Sequence, residues 1–121
     1  HLDTSSALCE LGEIYLEKNA YQKAIQHYKA ALAIERAVYQ GQPHAQIAAI
    51  LKWLGDACVG LKKYQKAMNY QEEALDNIIK FYNNKPHQQV GIHLCIMGSI
   101  CLKAKKFKKA IEWYQRSYEM L

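Results

Sequence analysis

Apolar side chains recur along most of the chain at intervals of three, four and seven residues, which is the spacing of one face of an α-helix. Leu8, Leu11 and Ile14 begin one such series, and Ala24 begins the next. Short polar breaks separate the series, and every second break contains a proline, which cannot continue a helix. The pattern predicts six helices, near residues 4–18, 21–40, 44–60, 64–83, 88–103 and 107–121.

The helical pattern repeats with a period of 43 residues. Positions separated by this period hold the same or a similar residue type: Gly12, Gly55 and Gly98; Tyr21, Tyr64 and Phe107; Ala24, Ala67 and Ala110; Pro43-His44 and Pro86-His87. Breaks of a few residues force successive helices to lie antiparallel. The sequence therefore predicts a single repeat domain over residues 1–121, with three helical hairpins at about 1–43, 44–86 and 87–121.

Small side chains at fixed positions of each unit predict where its two helices approach each other. A glycine inside a helix costs about 1 kcal/mol relative to alanine, so three glycines at one register imply a packing need. We therefore interpret these as structural repeat positions: Gly12, Ala24, Gly55, Ala67, Gly98 and Ala110. Hairpins that bury their apolar faces only against the next unit stack into an open superhelix, whose inner face is lined by the first helix of each unit.

The repeat also resembles a known family. The first unit reads Leu8-x2-Leu11-Gly12-x2-Tyr15, followed by Tyr21-x2-Ala24-x3-Tyr28-x2-Ala31. This pattern resembles the tetratricopeptide repeat (TPR) signature, with Leu8 in place of its usual first tryptophan. The resemblance implies an all-α fold, a right-handed superhelical solenoid of three antiparallel helix pairs. The period is longer than the family's usual length of about 34 residues, and this long form is most similar to the repeats of kinesin light chains.

The family resemblance also implies a peptide-binding groove on the inner face of the solenoid. Mapped position by position, the expected groove residues are Cys9, Glu10, Glu13, Lys52, Trp53, Asp56, Cys95, Ile96 and Ser99. The groove would grade from acidic through mixed to apolar along the three units. Trp53 is the expected anchor for a ligand, because a large amphipathic ring in a concavity contributes strongly to peptide binding. The alternative is that Trp53 packs between units.

Three functions fit this sequence. The first is a non-catalytic module that binds a peptide or a partner helix in the groove of a larger scaffold. The second is a structural or self-association segment that uses the apolar face of the last helix, where Ile111, Trp113, Tyr114, Tyr118 and Leu121 lie. The third is a regulatory lobe of a larger multidomain protein. The chain begins at His1 rather than Met, and we expect a fragment of a longer array.

Charge adds one further feature. Sixteen Lys and Arg against 11 Asp and Glu give a formal net charge of +5. Much of this excess lies in and just after the turns inside units, at Lys62, Lys63, Lys66, Lys103, Lys105, Lys106, Lys108 and Lys109. Such a basic edge either docks an acidic partner or keeps the array solvated. The ligand is therefore expected to be a protein or peptide, acidic if it docks here. Without aromatic residues interleaved for base stacking, nucleic acid is not expected.

No motif for catalysis or for a cofactor is found. The sequence contains no phosphate-binding glycine loop and no nucleophile elbow. His93 and Cys95 lie on different faces of one predicted helix, so no metal site is expected. The four cysteines lack a Cys-x-x-Cys pair and fall within apolar helical patterns, which indicates buried thiols in a reducing compartment, the cytoplasm. No apolar run reaches the roughly 18 residues of a membrane span.

Overall fold

The computed structural model describes residues 2–120, with side chains from residue 4 onward. This part of the chain contains six helices: α1 (Leu2–Glu17), α2 (Tyr21–Val38), α3 (Ala45–Gly60), α4 (Tyr64–Phe81), α5 (Gln88–Lys103) and α6 (Phe107–Met120). Their ends lie within two residues of the predicted ends. Leu121, the predicted last residue of α6, lies outside the described residues.

The first five helices all end in the same way. In α2, the N–H groups of Gln40 and Gly41 donate to the carbonyl oxygens of Ala37 and Arg36, which is a Schellman arrangement. The residue that turns the chain has a left-handed backbone, with positive φ, at the corresponding place after each helix: Asn19, Gln40, Lys62, Asn83 and Lys105. This turn explains why α2 and α4 end two residues earlier than periodicity alone predicts.

The junctions between units are built on their two histidines. His44 and His87 are extended N-cap residues, and the Nδ1 of each accepts a hydrogen bond from a backbone N–H, that of Gln46 or of Gln89. Each imidazole stacks on a tyrosine at the end of the preceding unit, with ring centroids 3.8 Å and 3.6 Å apart. The two histidines therefore cap the helices that begin the second and third units.

Within each unit the first helix packs on the second at the predicted glycine. A Cβ placed on Gly12 would lie 2.6 Å from the Tyr28 ring, and one placed on Gly55 would lie 2.7 Å from Gln71 Nε2. The same addition at Gly98 would come within 3.0 Å of Tyr114. All three partners occupy one register of the second helix, so one close approach is repeated in every unit. The alanines at the paired positions are buried: Ala24, Ala67 and Ala110.

The units are joined because α2 packs on α3, and α4 on α5. One hydrophobic core runs through these contacts from Ala24 in the first unit to Met97 in the third. The first and last helices expose residues whose counterparts are covered inside the stack. Leu11 is 40% exposed and Tyr118 is 80% exposed, whereas their counterparts Leu54 and Leu75 are 0% and 8% exposed. The predicted all-α solenoid of stacked helix pairs is confirmed. On α6, Ile111, Tyr114 and Tyr118 are exposed as predicted, whereas Trp113 is half-buried against the core.

The cysteines follow the sequence prediction only in part. All four are free thiols; Cys58 and Cys101 are buried, and Cys9 is half-buried. Cys95 is exposed, so the prediction that it is a buried thiol was wrong. It lies at the groove register, on the side of α5 that the hairpin leaves uncovered. No helix of residues 2–120 is both long enough and apolar enough to cross a membrane.

Candidate functional site: the concave groove

A first cavity lies between α1 and α3, and we call it the unit 1–2 cavity. Its volume is about 500 Å³. Its walls are formed by Ser6, Cys9, Glu10, Glu13, Leu16, Glu17, Tyr28, Gln46, Lys52, Trp53 and Asp56. Six predicted groove residues are therefore brought together around one opening: Cys9, Glu10, Glu13, Lys52, Trp53 and Asp56. This agreement follows from the repeat, because equal register places α1 and α3 side by side with the same face toward the groove.

Carboxylates dominate the charge of the unit 1–2 cavity. Three of its four carboxylates lie on exposed positions of α1, at Glu10, Glu13 and Glu17, and Asp56 lies on α3. Lys52 is the one basic residue in the wall, and its Nζ lies 3.9 Å from an Asp56 carboxylate oxygen. Burial raises the pKa of Asp56 above its usual value, although nearby ammonium groups partly oppose this shift. The three glutamates form no ion pair with another described residue.

The floor of this cavity contains Tyr28, which was not among the predicted groove residues. Tyr28 on α2 is only 2% exposed, and its ring lies against Gly12. Its hydroxyl forms no hydrogen bond with another described residue. Burial raises the Tyr28 pKa to about 12, with further contributions from Glu13, Cys9 and Asp56. All three of these neighbours line the unit 1–2 cavity, so the hydroxyl lies at its floor.

A second cavity lies between α3 and α5, and we call it the unit 2–3 cavity. Its volume is about 400 Å³. Its walls are mostly apolar and include Ala45, Ala48, Ala49, Lys52, Trp53, Ile78, Tyr82, Gln89, Ile92 and His93. The His93 side chain is 2% exposed, and its Nδ1 has no hydrogen-bond partner among the described residues. Burial, assisted by the charge of Lys52, lowers the His93 pKa to about 4, so the imidazole is neutral at pH 7.

Trp53 borders both cavities. Its ring also packs on Tyr28, with centroids 5.8 Å apart, and it contacts the main hydrophobic core. The packing role considered from the sequence is therefore present. The indole is still only half-buried, and its remaining surface faces the groove. Its role as a ligand anchor stays a prediction.

The three groove residues predicted in the third unit border neither of these two cavities. Cys95 is exposed, Ser99 is half-buried, and Ile96 packs against a small cluster with Cys58 and Ile100. A cavity of this kind needs the first helix of a following unit, and α6 is the last described helix. The unit 1–2 cavity is acidic and the unit 2–3 cavity is mostly apolar, and the gradient expected along all three units stays a prediction.

The basic edge predicted from the sequence lies outside the groove cavities. The eight lysines of the predicted basic edge are all exposed, and Lys62 and Lys105 occupy the same left-handed turn position. None of the eight lines either groove cavity. Among residues 2–120 no group of three or more His, Cys, Asp or Glu side chains is arranged to hold a metal ion.

The fold and the groove define a class of protein, the helical-repeat solenoid with a concave inner face. Residues 46–121 match a sequence profile described as tetratricopeptide repeat, and residues 5–37 match a second profile with the same description. The first match alone covers more than half of the chain, so the chain belongs to the tetratricopeptide repeat family. The finer likeness to kinesin light chains stays a prediction. A comparison with curated proteins finds no match.

Solved structures of three other proteins share this fold. The TPR domain of FLU from Arabidopsis has a TM-score of 0.82 at 15% identity, covering 97% of this chain and 93% of that one. The TPR2AB domain of yeast Sti1, solved as a complex with pHSP90, has a TM-score of 0.79 at 17% identity, covering 99% and 42%. The N-terminal domain of stress-induced protein-1 from C. elegans has a TM-score of 0.76 at 16% identity, covering 98% and 85%. At such identities the likeness concerns the fold alone.

Proposed function

We propose that this chain is a non-catalytic protein-interaction module that binds an extended peptide or a partner helix in its concave groove. The observation that carries the proposal is the pair of adjoining cavities, of about 500 and 400 Å³, that share Trp53 and Lys52 as a common wall. Such concavities, lined by aromatic groups and a few polar ones, suit the side chains of a bound segment.

The scaffold supports this proposal because the exposed face of α1, with Glu10 and Glu13, takes no part in building the repeat. Caps, stacked histidines and small residues build the repeat, and all of them lie away from the exposed face of α1. The yeast Sti1 neighbour was solved with pHSP90, which is an interaction of that protein. Capture of an acidic chaperone tail is not what we propose here, since such a tail would meet the carboxylates of the unit 1–2 cavity and only one lysine.

A peptide-display selection on the whole chain tests the proposal. Peptides that bind are measured again with Trp53→Ala and Lys52→Glu, and Trp113→Phe is the matched tryptophan control, because Trp113 borders neither groove cavity. Truncation of a central aromatic anchor is expected to weaken binding by about 30-fold or more. Equal affinity of the wild type and Trp53→Ala for every selected peptide would contradict binding in the concave groove.

A second candidate function is self-association through α6. Phe107, Ile111 and Tyr118 on this helix are 59%, 57% and 80% exposed, an unusual density of large apolar groups on one helix. Sedimentation of this chain, compared with a version carrying additional repeats after α6, separates the candidates. A dimer that persists in the longer version, and that Tyr118→Ser abolishes, favours self-association. A role as a regulatory lobe, and a cytoplasmic location for its free thiols, are further proposals on the same footing.

A further inference from the structure

We infer that the unit 1–2 cavity receives the cationic side chain of an arginine or lysine, so that the groove selects a basic peptide. The inference rests on the proposed function, because it names the chemistry of the ligand that the groove takes. It also reverses the expected charge of the ligand, because the basic edge had suggested an acidic one. The eight lysines of that edge line neither groove cavity, so the overall charge of +5 does not describe the surface that meets the peptide.

The cavity-facing side of α1 carries uncompensated negative charge. Glu10, Glu13 and Glu17 lie at intervals of three and four residues, so they share one helical face, and this face lines the cavity. Lys52 lies beside Asp56 at 3.9 Å and is thereby engaged on the α3 side. The negative charge of the three glutamates has no partner in the described chain. A cation entering from the groove would supply one.

The floor of the cavity offers a hydroxyl. Tyr28 is 2% exposed, and its hydroxyl has no hydrogen-bond partner among the described residues, although it is not one of the fully buried polar atoms that lack a partner. The hydroxyl therefore reaches the cavity, where a ligand group can supply its hydrogen bond. The charges that surround this hydroxyl are the carboxylates of Glu13 and Asp56. Among ligand groups, only a hydrogen-bond donor carrying positive charge suits the hydroxyl and both carboxylates together.

The cavity also has an aromatic wall. The rings of Tyr28 and Trp53 lie 5.8 Å apart with a 30° angle between their planes, and both residues line the cavity. Tyr28 is 2% exposed, so the half-buried indole of Trp53 offers the accessible ring face. Guanidinium and ammonium groups are attracted to such a face, and tryptophan is the strongest of the aromatic partners. A guanidinium also presents several N–H donors in one plane, which suits several carboxylates at once. The geometry therefore favours arginine over lysine.

The test uses N-acetyl-arginine amide as the probe and N-acetyl-citrulline amide as its neutral counterpart of nearly the same shape. The whole chain, labelled with ¹⁵N, is titrated with each probe while the indole N–H signals of Trp53 and Trp113 are followed. We expect arginine amide to shift the Trp53 signal in a saturable way and citrulline amide to bind about tenfold more weakly or not at all. The Trp113 signal is expected to stay in place.

Charge variants identify the source of this preference. The triple variant Glu10→Gln, Glu13→Gln, Glu17→Gln is expected to weaken arginine amide binding about tenfold, the combined effect of three exposed charge interactions. Glu13→Gln alone is expected to give a smaller loss. Glu112→Gln is the matched control, since Glu112 is an exposed glutamate of α6 that lines neither groove cavity.

Outcomes for this inference and for the proposed function are distinct. Equal shifts with arginine and citrulline amides, or an unchanged affinity in the triple variant, would overturn the inference. Displayed peptides that require Trp53 but lack basic residues would overturn it as well, while leaving groove binding intact. Selected basic peptides that lose affinity when their arginine is replaced by citrulline would support both.

Discussion

The two groove cavities are built by the same repeat, yet they offer opposite chemistry. Both lie between the first helices of successive units, and both include Lys52 and Trp53 in their walls. The unit 1–2 cavity has four carboxylates, whereas the unit 2–3 cavity is lined by alanines, Ile78 and Ile92. The comparison shows that the repeat specifies backbone geometry through small residues and helix caps, and that the groove positions vary independently within it.

The largest expected effect concerns the buried imidazole of the unit 2–3 cavity. The His93 pKa is about 4 in the folded chain, against 6.5 for an unperturbed histidine. The unfolded chain therefore binds the proton first as the pH falls, and the free energy of unfolding decreases between about pH 6.5 and about pH 4. His93 is expected to contribute up to roughly 3 kcal/mol to this decrease. Urea unfolding of the wild type and of His93→Leu across this range measures it.

The variant is expected to lose most of this pH dependence and to keep the contribution of every other titrating group, including Asp56. His27→Gln is the matched control, because His27 is a half-buried histidine that stacks on Tyr15 and lines neither groove cavity. Parallel pH profiles for the wild type and His93→Leu would show that His93 titrates as an ordinary histidine, and the unit 2–3 cavity would then not act as an apolar environment for this group.

A smaller effect is expected at the glycines behind the two cavities. In Gly12→Ala the new methyl meets the rigid ring of Tyr28, whereas in Gly55→Ala it meets the amide end of Gln71, which has torsions that can move it away. Overpacking of this kind costs about 1–3 kcal/mol, and alanine returns up to about 1 kcal/mol of helix propensity. Thermal unfolding is expected to show Gly12→Ala as the less stable variant. The opposite order would mean that the Gln71 hydrogen bond to the Lys52 carbonyl, at 3.1 Å, is the stiffer neighbour.

The smallest effect on stability is expected from filling the apolar cavity. Ala49→Leu adds a side chain at a half-buried position that faces the unit 2–3 cavity, so the free energy of unfolding should change by less than about 1 kcal/mol. The N-acetyl-arginine amide titration should be unaffected, while displayed peptides that place an apolar side chain here should bind several-fold more weakly. Loss of arginine amide binding in this variant would show that the two cavities act as one.

The fold was predictable because its determinants are local and repeated. Equal spacing of Gly12, Gly55 and Gly98 was sufficient to identify the hairpins, and the structure places each glycine against the same register of its partner helix. The left-handed turns were harder to foresee. Lysine occupies two of these positions, where glycine or asparagine is the usual signal, and only the backbone hydrogen bonds reveal them.

The residues along the groove surface could be predicted from the sequence, whereas the buried polar residues beneath it could not. Family positions on α1 and α3 identified six of the residues that line the unit 1–2 cavity. They gave no indication of Tyr28, because this residue comes from the second helix and its spacing is that of a packing residue. His93 was considered only as a metal ligand, since burial without a partner is a property of three-dimensional packing. A polar residue on an otherwise apolar face was the available signal.

The indole of Trp53 separates the acidic unit 1–2 cavity from the apolar unit 2–3 cavity, so the two ends of the groove differ in chemistry. A segment that carries a positive residue and, a short distance away, an aliphatic one can satisfy both cavities in only one orientation along the solenoid. Reversing the order of these two residues in the ligand would place each in the wrong cavity. For a chain bound in the groove as proposed, the position of Trp53 would distinguish the amino end of that chain from its carboxyl end.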